Sequence, residues 1–183
     1  MKKLISLLAL ANALTFTLVI AEGAHQHGVA NATIVVSSSD LVIEIETPAD
    51  NILGFEHEPK TKEQHAKLDD SLELLQKVDS VLSTSKSAKC SIKKTEVKSP
   101  FNEEHNEHEE HGEDEEHEEH GSHSDFDMHY EYTCKEVSEL KTIEFSGLFE
   151  KFSNFTEVNV QWLYQNEQSA KTLTKQNTQI NFK

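Results

Sequence analysis

The chain has 183 residues, of which 33 are acidic and 17 are Lys or Arg, and its formal net charge is −16 with the histidines neutral. This length favours a single domain. The negative charge argues against nucleic acid or an anionic membrane as a partner, because both are bound by positively charged surfaces. Much of the charge is concentrated in one place, since eleven carboxylates and no base lie between Glu103 and Glu119.

The N-terminal residues have the pattern of a secretory signal peptide. Lys2 and Lys3 form a positive n-region, residues 4–20 are almost continuously apolar, and small residues occupy the −3 and −1 positions of a cleavage site. As a membrane span, this stretch would be marginal and would lack a basic flank. We therefore expect residues 1–21 to be removed on export and residues 22–183 to form one domain.

The two cysteines, Cys90 and Cys134, lie on either side of the acidic stretch. Disulfides persist in oxidising compartments, whereas thiolate metal ligands would need protection from oxidation there. We therefore expect a disulfide between Cys90 and Cys134. Its loop would enclose the acidic segment and tie the base of that segment to the folded domain.

The expected domain begins with two sequence patterns that are typical of strands. Ala30–Val36 and Leu41–Thr47 flank a Ser/Asp turn and predict a β-hairpin. Pro48-Ala49-Asp50-Asn51 breaks the pattern, and a loop carrying Gly54-Phe55-Glu56-His57 is expected to follow. From Pro59 to about Leu82 the leucines recur at helical spacing, with charged residues pointing away from them. This spacing predicts one amphipathic helix, or two helices joined near Asp79.

The rest of the chain is rich in predicted strands outside its central segment. The segment from Phe101 to Ser124 has no aliphatic residue, so it cannot form a core and is predicted to be disordered without ligand. Further strands are predicted at Ala88–Val97, Phe126–Cys134, Leu140–Phe145, Val158–Tyr164 and within Ala170–Phe182, with a helix or turn at Leu148–Phe155. The predicted class is α+β, a single small domain of mostly antiparallel strands with one main amphipathic helix and a disordered His/Glu-rich insertion at about 101–124.

The central segment contains two copies of one histidine spacing. His105, His108 and His111 recur every three residues, and so do His117, His120 and His123. Imidazoles at this spacing project to the same side of a 3₁₀ or an extended left-handed helix, so each triplet can donate several ligands to one ion. The neighbouring carboxylates can complete a coordination sphere and attract divalent cations. The alternative is an acidic solvated linker, but such linkers are normally built from Glu, Asp, Ser and Pro.

Imidazole and carboxylate ligands suit zinc, nickel, cobalt and copper(II), and intrinsic affinity would place copper(II) first. Met1 and Met128 are the only methionines, so a copper(I) thioether site is absent. We expect zinc because of its availability. The affinity of the central segment should be modest, since a flexible chain must be ordered and its ligands deprotonated when the metal binds.

His25 and His27 form a second candidate site. Alternate residues of a strand share a face, so the pair could bind one ion from a rigid base. Two polar residues at a frayed terminus are the alternative. His57, in the loop after the hairpin, is by itself more typical of a surface histidine. His129 is out of phase with its apolar neighbours, so it is predicted to face solvent or the other face of the sheet.

Ordered landmarks along the chain resemble one protein family. They are His25-Gln26-His27-Gly28, Pro48-Ala49-Asp50-Asn51, Gly54-Phe55-Glu56-His57, His123-Ser124-Asp125-Phe126 and Leu148-Phe149-Glu150-Lys151-Phe152. In this order they resemble the ZrgA-like family of zinc-regulated periplasmic proteins, over essentially the whole of residues 22–183. The resemblance covers the cysteines and the acidic insertion as well.

This resemblance implies periplasmic zinc binding in support of high-affinity zinc import, beside a zinc ABC transporter or its periplasmic binding protein. It also implies an ordered site, because His25, His27, His57, His123 and Asp125 fall on the family's histidine-bearing motifs. The individual histidines of the insertion carry less weight, since insertions vary in such proteins. No stable association with a membrane is implied.

Two other functions fit parts of the pattern. A metal-dependent hydrolase would need an open coordination position and a base, but no Asp-His follows the HxH pair and no HExxH motif is present. A metal-responsive interaction module would use the metal to order the central segment and so alter docking on a partner. We expect a non-enzymatic zinc-binding protein, with the interaction module as the alternative and hydrolysis as the least favoured function.

Overall fold

The computed structural model describes residues 26–101 and 124–182. The described strands are β1 Val29–Ser37, β2 Asp40–Pro48, β3 Ser83–Thr84, β4 Cys90–Lys98, β5 Asp125–Cys134, β6 Thr142–Glu144, β7 Glu157–Tyr164, β8 Glu167–Thr174 and β9 Gln179–Asn181. The described α-helices are α1 Ala49–Leu53, α2 Lys62–Gln76 and α3 Ser146–Lys151. The predicted signal peptide at 1–21 and residues 102–123 of the predicted insertion lie outside the described residues.

Six strands form one large sheet in the order β4-β5-β2-β1-β7-β8. Neighbouring strands are antiparallel except β1 and β7, which run parallel. Side chains alternate between the two faces of a strand, and this alternation is visible in the burial of β1, where Ala30, Ala32, Ile34 and Val36 are buried between more exposed residues. The buried face of this sheet forms one wall of the hydrophobic core.

Helix α2 packs on the core side of the large sheet. Leu68 and Leu75 are its buried leucines, and the hydroxyl of Tyr130 on β5 donates a hydrogen bond of 2.9 Å to the Leu75 carbonyl. The helix starts three residues after Pro59, because the Thr61 side chain caps it by accepting from the Gln64 amide. It ends at Gln76 and is followed by a short 3₁₀ turn, so Leu82 is buried but lies beyond the helix.

The break in the strand pattern at Pro48-Ala49-Asp50-Asn51 leads into the short helix α1. A five-residue helix is too short to show helical spacing, and its stability comes from packing, since Ala49, Asn51 and two further residues are buried. Gly54 ends the helix with a φ of +78°, which glycine adopts without a steric penalty. The sequence did not predict this helix, whereas the predicted loop through Gly54-Phe55-Glu56-His57 does follow it.

A second, smaller sheet has the order β3-β6-β9 and is antiparallel. The core also contains an aromatic cluster in which Phe149 and Phe152 each form a T-shaped pair with Phe155, at centroid distances of 6.4 and 6.3 Å. The predicted α+β class with mostly antiparallel strands and one main amphipathic helix is thus confirmed. None of the helices in residues 26–101 and 124–182 has the length and apolar character needed to cross a membrane.

The predicted disulfide between Cys90 and Cys134 is present. Its two cysteines are directly paired across β4 and β5, at the end of this hairpin opposite to Lys98 and Asp127. The disulfide therefore lies about 25 Å along the strands from the point where the central segment leaves the sheet. It anchors the far end of the hairpin and not, as predicted, the base of the insertion.

Candidate metal-binding site

One edge of the large sheet gathers most of the described histidine-bearing motifs. Because β2 is antiparallel to both β1 and β5, the start of β1, the end of β2 and the start of β5 share this edge, with Pro48 paired to Asp125. The turn that holds His27 precedes β1, and helix α1 and the loop through His57 follow β2. We call this region the His27 edge, and it comprises residues 26–28, 49–58, 124 and 125.

The imidazole of His27 lies between two carboxylates. Its Nε2 is 3.0 Å from Oε1 of Glu56, and its Nδ1 is 3.8 Å from Oδ2 of Asp50. The His27 side chain is 62% exposed, so solvent ions can reach it. The strand begins only at Val29, and His27 belongs to a turn closed by the Val29 amide, which donates to the Gln26 carbonyl at 3.0 Å. His27 is therefore held by a turn and not, as the sequence suggested, by strand geometry.

His57 follows Glu56 in the loop after α1. Its ring is stacked on Phe55 with a centroid distance of 5.1 Å, and its Nδ1 lies 2.8 Å from the Glu58 carbonyl oxygen. A carbonyl oxygen only accepts hydrogen bonds, so Nδ1 is the protonated nitrogen in this contact. The neutral ring then keeps a free lone pair on Nε2, which is the form that binds a metal.

Both described ends of the central segment are attached to the loop that carries Glu56. At one end, the ring of Phe101 stacks on Phe55 at a centroid distance of 6.4 Å. At the other end, the Ser124 hydroxyl donates to the Glu56 carbonyl at 3.2 Å, and the Ser124 carbonyl accepts from the Ala49 amide at 2.7 Å. The histidine-rich segment thus leaves from and returns to the His27 edge.

The structure brings some of the predicted ligands to this edge and leaves others untested. His27, His57 and Asp125 are described and belong to the His27 edge. The remaining predicted ligands, His25, His105, His108, His111, His117, His120 and His123, lie outside the described residues. They stay predictions.

No three His, Cys, Asp or Glu side chains within residues 26–101 and 124–182 are placed to hold one ion together. At His27 the reason is geometric, since Glu56 and Asp50 lie on different ring nitrogens and an ion bound to one nitrogen is out of reach of the carboxylate on the other. The described part of the edge therefore supplies a partial coordination sphere. Further ligands would have to come from a rearranged His57 or Asp125 or from residues beyond the described ranges.

A second imidazole between carboxylates lies on the outer face of the large sheet. His129 faces outward as predicted, in a cleft of about 470 Å³. Its Nδ1 is 3.2 Å from Glu44 and its Nε2 is 3.1 Å from Glu131. The hydrogen bond from His129 is the largest cause that lowers the pKa of the Glu131 carboxyl below its usual 4.5, and the nearby Lys93 ammonium lowers it further.

Two carboxylates near His129, Glu131 and Glu96, already have lysine partners, whereas the ion pair that Glu44 forms within the described ranges is with His129. The Lys93 ammonium lies 3.3 Å from Glu131, and Glu96 pairs with Lys94 at 2.7 Å and with Lys98 at 3.4 Å. At the His27 edge the ion pairs that Asp50 and Glu56 form within the described ranges are both with His27. Because lysines already pair with two carboxylates near His129, and because both ends of the histidine-rich segment attach beside His27, the His27 edge is the better candidate for binding a cation.

Asp50 and Glu56 were not selected as ligands from the sequence, although both lie in the motifs that carried the family resemblance. Glu56 immediately precedes His57, which was the only indication that it lies near a site. Asp50 lies in the segment that was expected only to break the strand pattern. The contact of both carboxylates with His27 spans more than twenty residues of sequence and depends on the sheet pairing.

The model of one protein family, described as ZrgA family zinc uptake protein, matches residues 24–182. The match includes both described parts of the chain and the histidine-rich segment between them. No curated protein matches the chain.

Proposed function

Because the chain belongs to the ZrgA family of zinc uptake proteins, we propose that it binds zinc in the periplasm, without catalysis, and holds the metal for high-affinity import. The observation that carries the proposal is the exposed His27 imidazole between Glu56 and Asp50. Zinc is the cargo of this protein, and a zinc ABC transporter or its periplasmic binding protein is the proposed recipient.

In the proposed ordered site, Nε2 of His27 and a carboxylate oxygen of Glu56 are zinc ligands. Two ligands that each lie about 2.0–2.1 Å from a tetrahedral zinc ion are about 3.3 Å apart. The corresponding distance is 3.0 Å in the unliganded side chains, so a shift of a few tenths of an ångström admits the ion. Asp50 lies 3.8 Å from the other ring nitrogen, and if it moves closer its carboxylate can accept a hydrogen bond from that N–H, which would orient the ring and increase its basicity as a ligand.

His57 and Asp125 are the described residues that can complete this site, together with His25 and His123, which the family resemblance assigns. The free Nε2 lone pair of His57 supports its part, although the ring must move toward His27. Imidazole nitrogen and carboxylate oxygen are both common zinc ligands. The mixed set is therefore consistent with reversible binding of a cargo ion.

The histidine-rich segment is proposed to capture zinc and pass it to the ordered site. Its triplets, His105, His108, His111 and His117, His120, His123, lie among eleven carboxylates that concentrate divalent cations. Both ends of the segment attach to the loop that bears Glu56. A tethered donor acts at a high effective concentration, so transfer within one molecule is favoured over release to solution.

A metal-responsive interaction module is the second candidate function. The stack of Phe101 on Phe55, and of Phe55 on His57, supports it, because ligation by His57 would disturb the contact that anchors the segment. A sensor must change its shape or its affinity for a partner when zinc binds, whereas a protein that only stores zinc need not. Small-angle scattering with and without zinc separates the two functions.

The proposal is tested by calorimetric zinc titration at neutral pH of the intact protein, of a variant lacking residues 103–120, and of His27→Ala. We expect two classes of site in the intact protein, the weaker class lost with the deletion and the tighter class lost with His27→Ala. His65→Ala is the matched control, because His65 is an exposed histidine on α2 outside the His27 edge.

Two results would contradict the proposal in different ways. If the intact protein binds no zinc, the proposed function as a whole is wrong. Loss of all binding with the deletion alone would leave capture by the segment but would show that the ordered site at His27 is wrong.

A further inference from the structure

Asn51 is one of three buried polar side chains, with Thr47 and Ser71, in residues 26–101 and 124–182, and it is only 1% exposed. Buried polar groups need hydrogen-bond partners, because the loss of water is otherwise not compensated. Asn51 lies on α1 directly after Asp50, the residue whose carboxylate faces His27. Its partners therefore indicate what α1 holds in place.

The amide group of Asn51 is bonded to the backbone next to His27. Its Oδ1 accepts from the Gly28 amide at 2.5 Å, and its Nδ2 donates to the Val29 carbonyl at 3.0 Å. The same Nδ2 donates to the Thr47 hydroxyl at 2.9 Å. Both amide hydrogens and the carbonyl oxygen are thus used in three bonds, two of which hold the turn that presents His27.

The carbonyl group of Gly28 is also held by hydrogen bonds. Its carbonyl accepts from the Thr156 amide at 2.7 Å, from the Glu157 amide at 3.0 Å and from the Thr156 hydroxyl at 3.0 Å. Gly28 has a φ of +85°, and a Cβ at this position would meet the Thr156 hydroxyl oxygen at 2.6 Å. The residue after His27 is therefore fixed between α1 and the start of β7.

We propose that Asn51 is a positioning residue for zinc binding at His27, a role that rests on the function proposed above. Asn51 does not touch the metal, since it is buried and its amide group is fully bonded. It fixes the backbone of the His27 turn to α1, and α1 also carries the carboxylate that faces Nδ1 of His27. The imidazole, its orienting carboxylate and the turn thus form one preorganised unit.

Preorganisation determines the affinity because an exposed turn that is free in solution must be ordered when the ion binds. Loss of groups that orient a metal-binding histidine typically weakens metal affinity by about 10–100-fold. We expect Asn51→Ala to weaken zinc binding at His27 by about tenfold, the lower end of this range. The histidine-rich segment, which Asn51 does not hold, should bind zinc as before.

The test is a titration of the intact protein with zinc chloride, followed by the ¹⁵N signals of the His27 imidazole. These signals are assigned by their loss in His27→Gln. Thr47→Val is the matched control, since it removes one buried hydrogen bond of Asn51 and leaves both bonds to the His27 turn. The free energy of unfolding is measured for each variant.

The expected result is a zinc midpoint at His27 that rises about tenfold in Asn51→Ala and stays within about twofold of the wild type in Thr47→Val. An unchanged zinc midpoint in Asn51→Ala would overturn the proposal. The proposal would also be overturned if the midpoint rose equally in Asn51→Ala and Thr47→Val, in proportion to the loss of unfolding free energy in each variant. If Asn51→Ala does not fold, the same zinc titration of Thr156→Val tests the proposal. This substitution removes one bond to Gly28 from an exposed side chain, and a rise of about two- to threefold supports the proposal whereas no change overturns it.

Failure of this inference is distinguishable from failure of the proposed function. If the His27 signals of the wild-type protein do not respond to zinc, the ordered site itself is wrong. If they respond in the wild type and equally in Asn51→Ala, the site stands and only the positioning role of Asn51 is lost.

Discussion

His27 and His129 have similar immediate surroundings but different settings. Each imidazole has a carboxylate on either ring nitrogen, at 3.0 and 3.8 Å for His27 and at 3.2 and 3.1 Å for His129. The carboxylates around His129 lie on strands of one sheet face among paired lysines. Those around His27 lie on a short helix and a loop, beside both described ends of the histidine-rich segment.

The comparison shows that an imidazole between carboxylates is not sufficient for a metal site. Around His129 two of the nearby carboxylates, Glu131 and Glu96, are already paired with lysines, so a cation that binds there competes with existing ion pairs. Around His27 the charge is available and the backbone carrying the ring is fixed from two sides. The identity of the neighbouring cations, and not the histidine itself, separates a surface network from a candidate zinc site.

The largest expected effect separates stability from zinc binding. Replacing both Cys90 and Cys134 by serine should lower the free energy of unfolding by about 4 kcal/mol, the chain-entropy value for a loop of this length. Zinc affinity at His27 should stay within about twofold, since the disulfide is at the opposite end of the β4–β5 hairpin. Urea denaturation and competition with a chelating dye measure the two quantities. A fall in zinc affinity that parallels the loss of stability would show that the two ends are coupled.

The second prediction tests the difference between His27 and His129 directly, by changing one histidine at a time. His27→Gln should weaken the tight class of zinc binding by about 100-fold, or about 2.7 kcal/mol, because a ligand is lost. His129→Gln should change it by less than about twofold, because Glu131 beside it is already paired with Lys93 and His129 lies outside the His27 edge. Competition with a zinc chelator measures both variants. Equal effects of the two substitutions would remove the distinction between the regions.

The third prediction concerns pH. An imidazole must be neutral to bind zinc, and for a group with the reference pKa of about 6.5 the neutral fraction falls roughly 25-fold between pH 7 and pH 5. Zinc affinity should therefore fall by at least this factor for a site that uses histidine. The measurement is a chelator competition repeated at pH 7, 6 and 5. Constant affinity over this range would exclude histidine as a ligand.

The smallest expected effect lies at the outer face. Hydrogen bonds from His129 and Lys93 hold the pKa of Glu131 below its usual 4.5, so this carboxylate binds a proton less readily in the folded than in the unfolded state. Its contribution to stability is present above pH 4.5 and is lost as the pH falls through the lowered folded pKa. Glu131→Gln should therefore flatten the acid limb of stability slightly and leave zinc affinity unchanged. Urea midpoints between pH 3 and pH 6 measure the slope.

Much of the fold was predictable because its main strands and its main helix show clear local periodicity in the sequence. The alternation in Ala30–Val36 and Phe126–Cys134 predicted strands whose inner residues are buried, and the leucine spacing predicted α2. The five-residue α1 was missed, since so short a helix has no detectable period. The parallel pairing of β1 with β7 could not be predicted from local sequence patterns either, because more than a hundred residues separate these two strands in the chain.

The candidate site was predictable only in part. His27, His57 and Asp125 could be selected because histidine is chemically distinctive and the motifs have a recognisable order. Asp50 and Glu56 could not be selected, because acidic residues are common in this chain and only their position beside His27 distinguishes them.

The sequence by itself determined the chemistry of this protein: the candidate histidine and carboxylate ligands, the cysteine pair, the periodicity of its main strands and helix, and the family to which it belongs. The tertiary structure alone decided which of the charged groups meet. The registers of β1, β2 and β5 bring His27, Asp50, Glu56 and Asp125 to one edge of the sheet and place the disulfide at the other end. The physical reason is that ligand chemistry is a property of single residues, whereas a coordination site is a property of distances between residues remote in sequence.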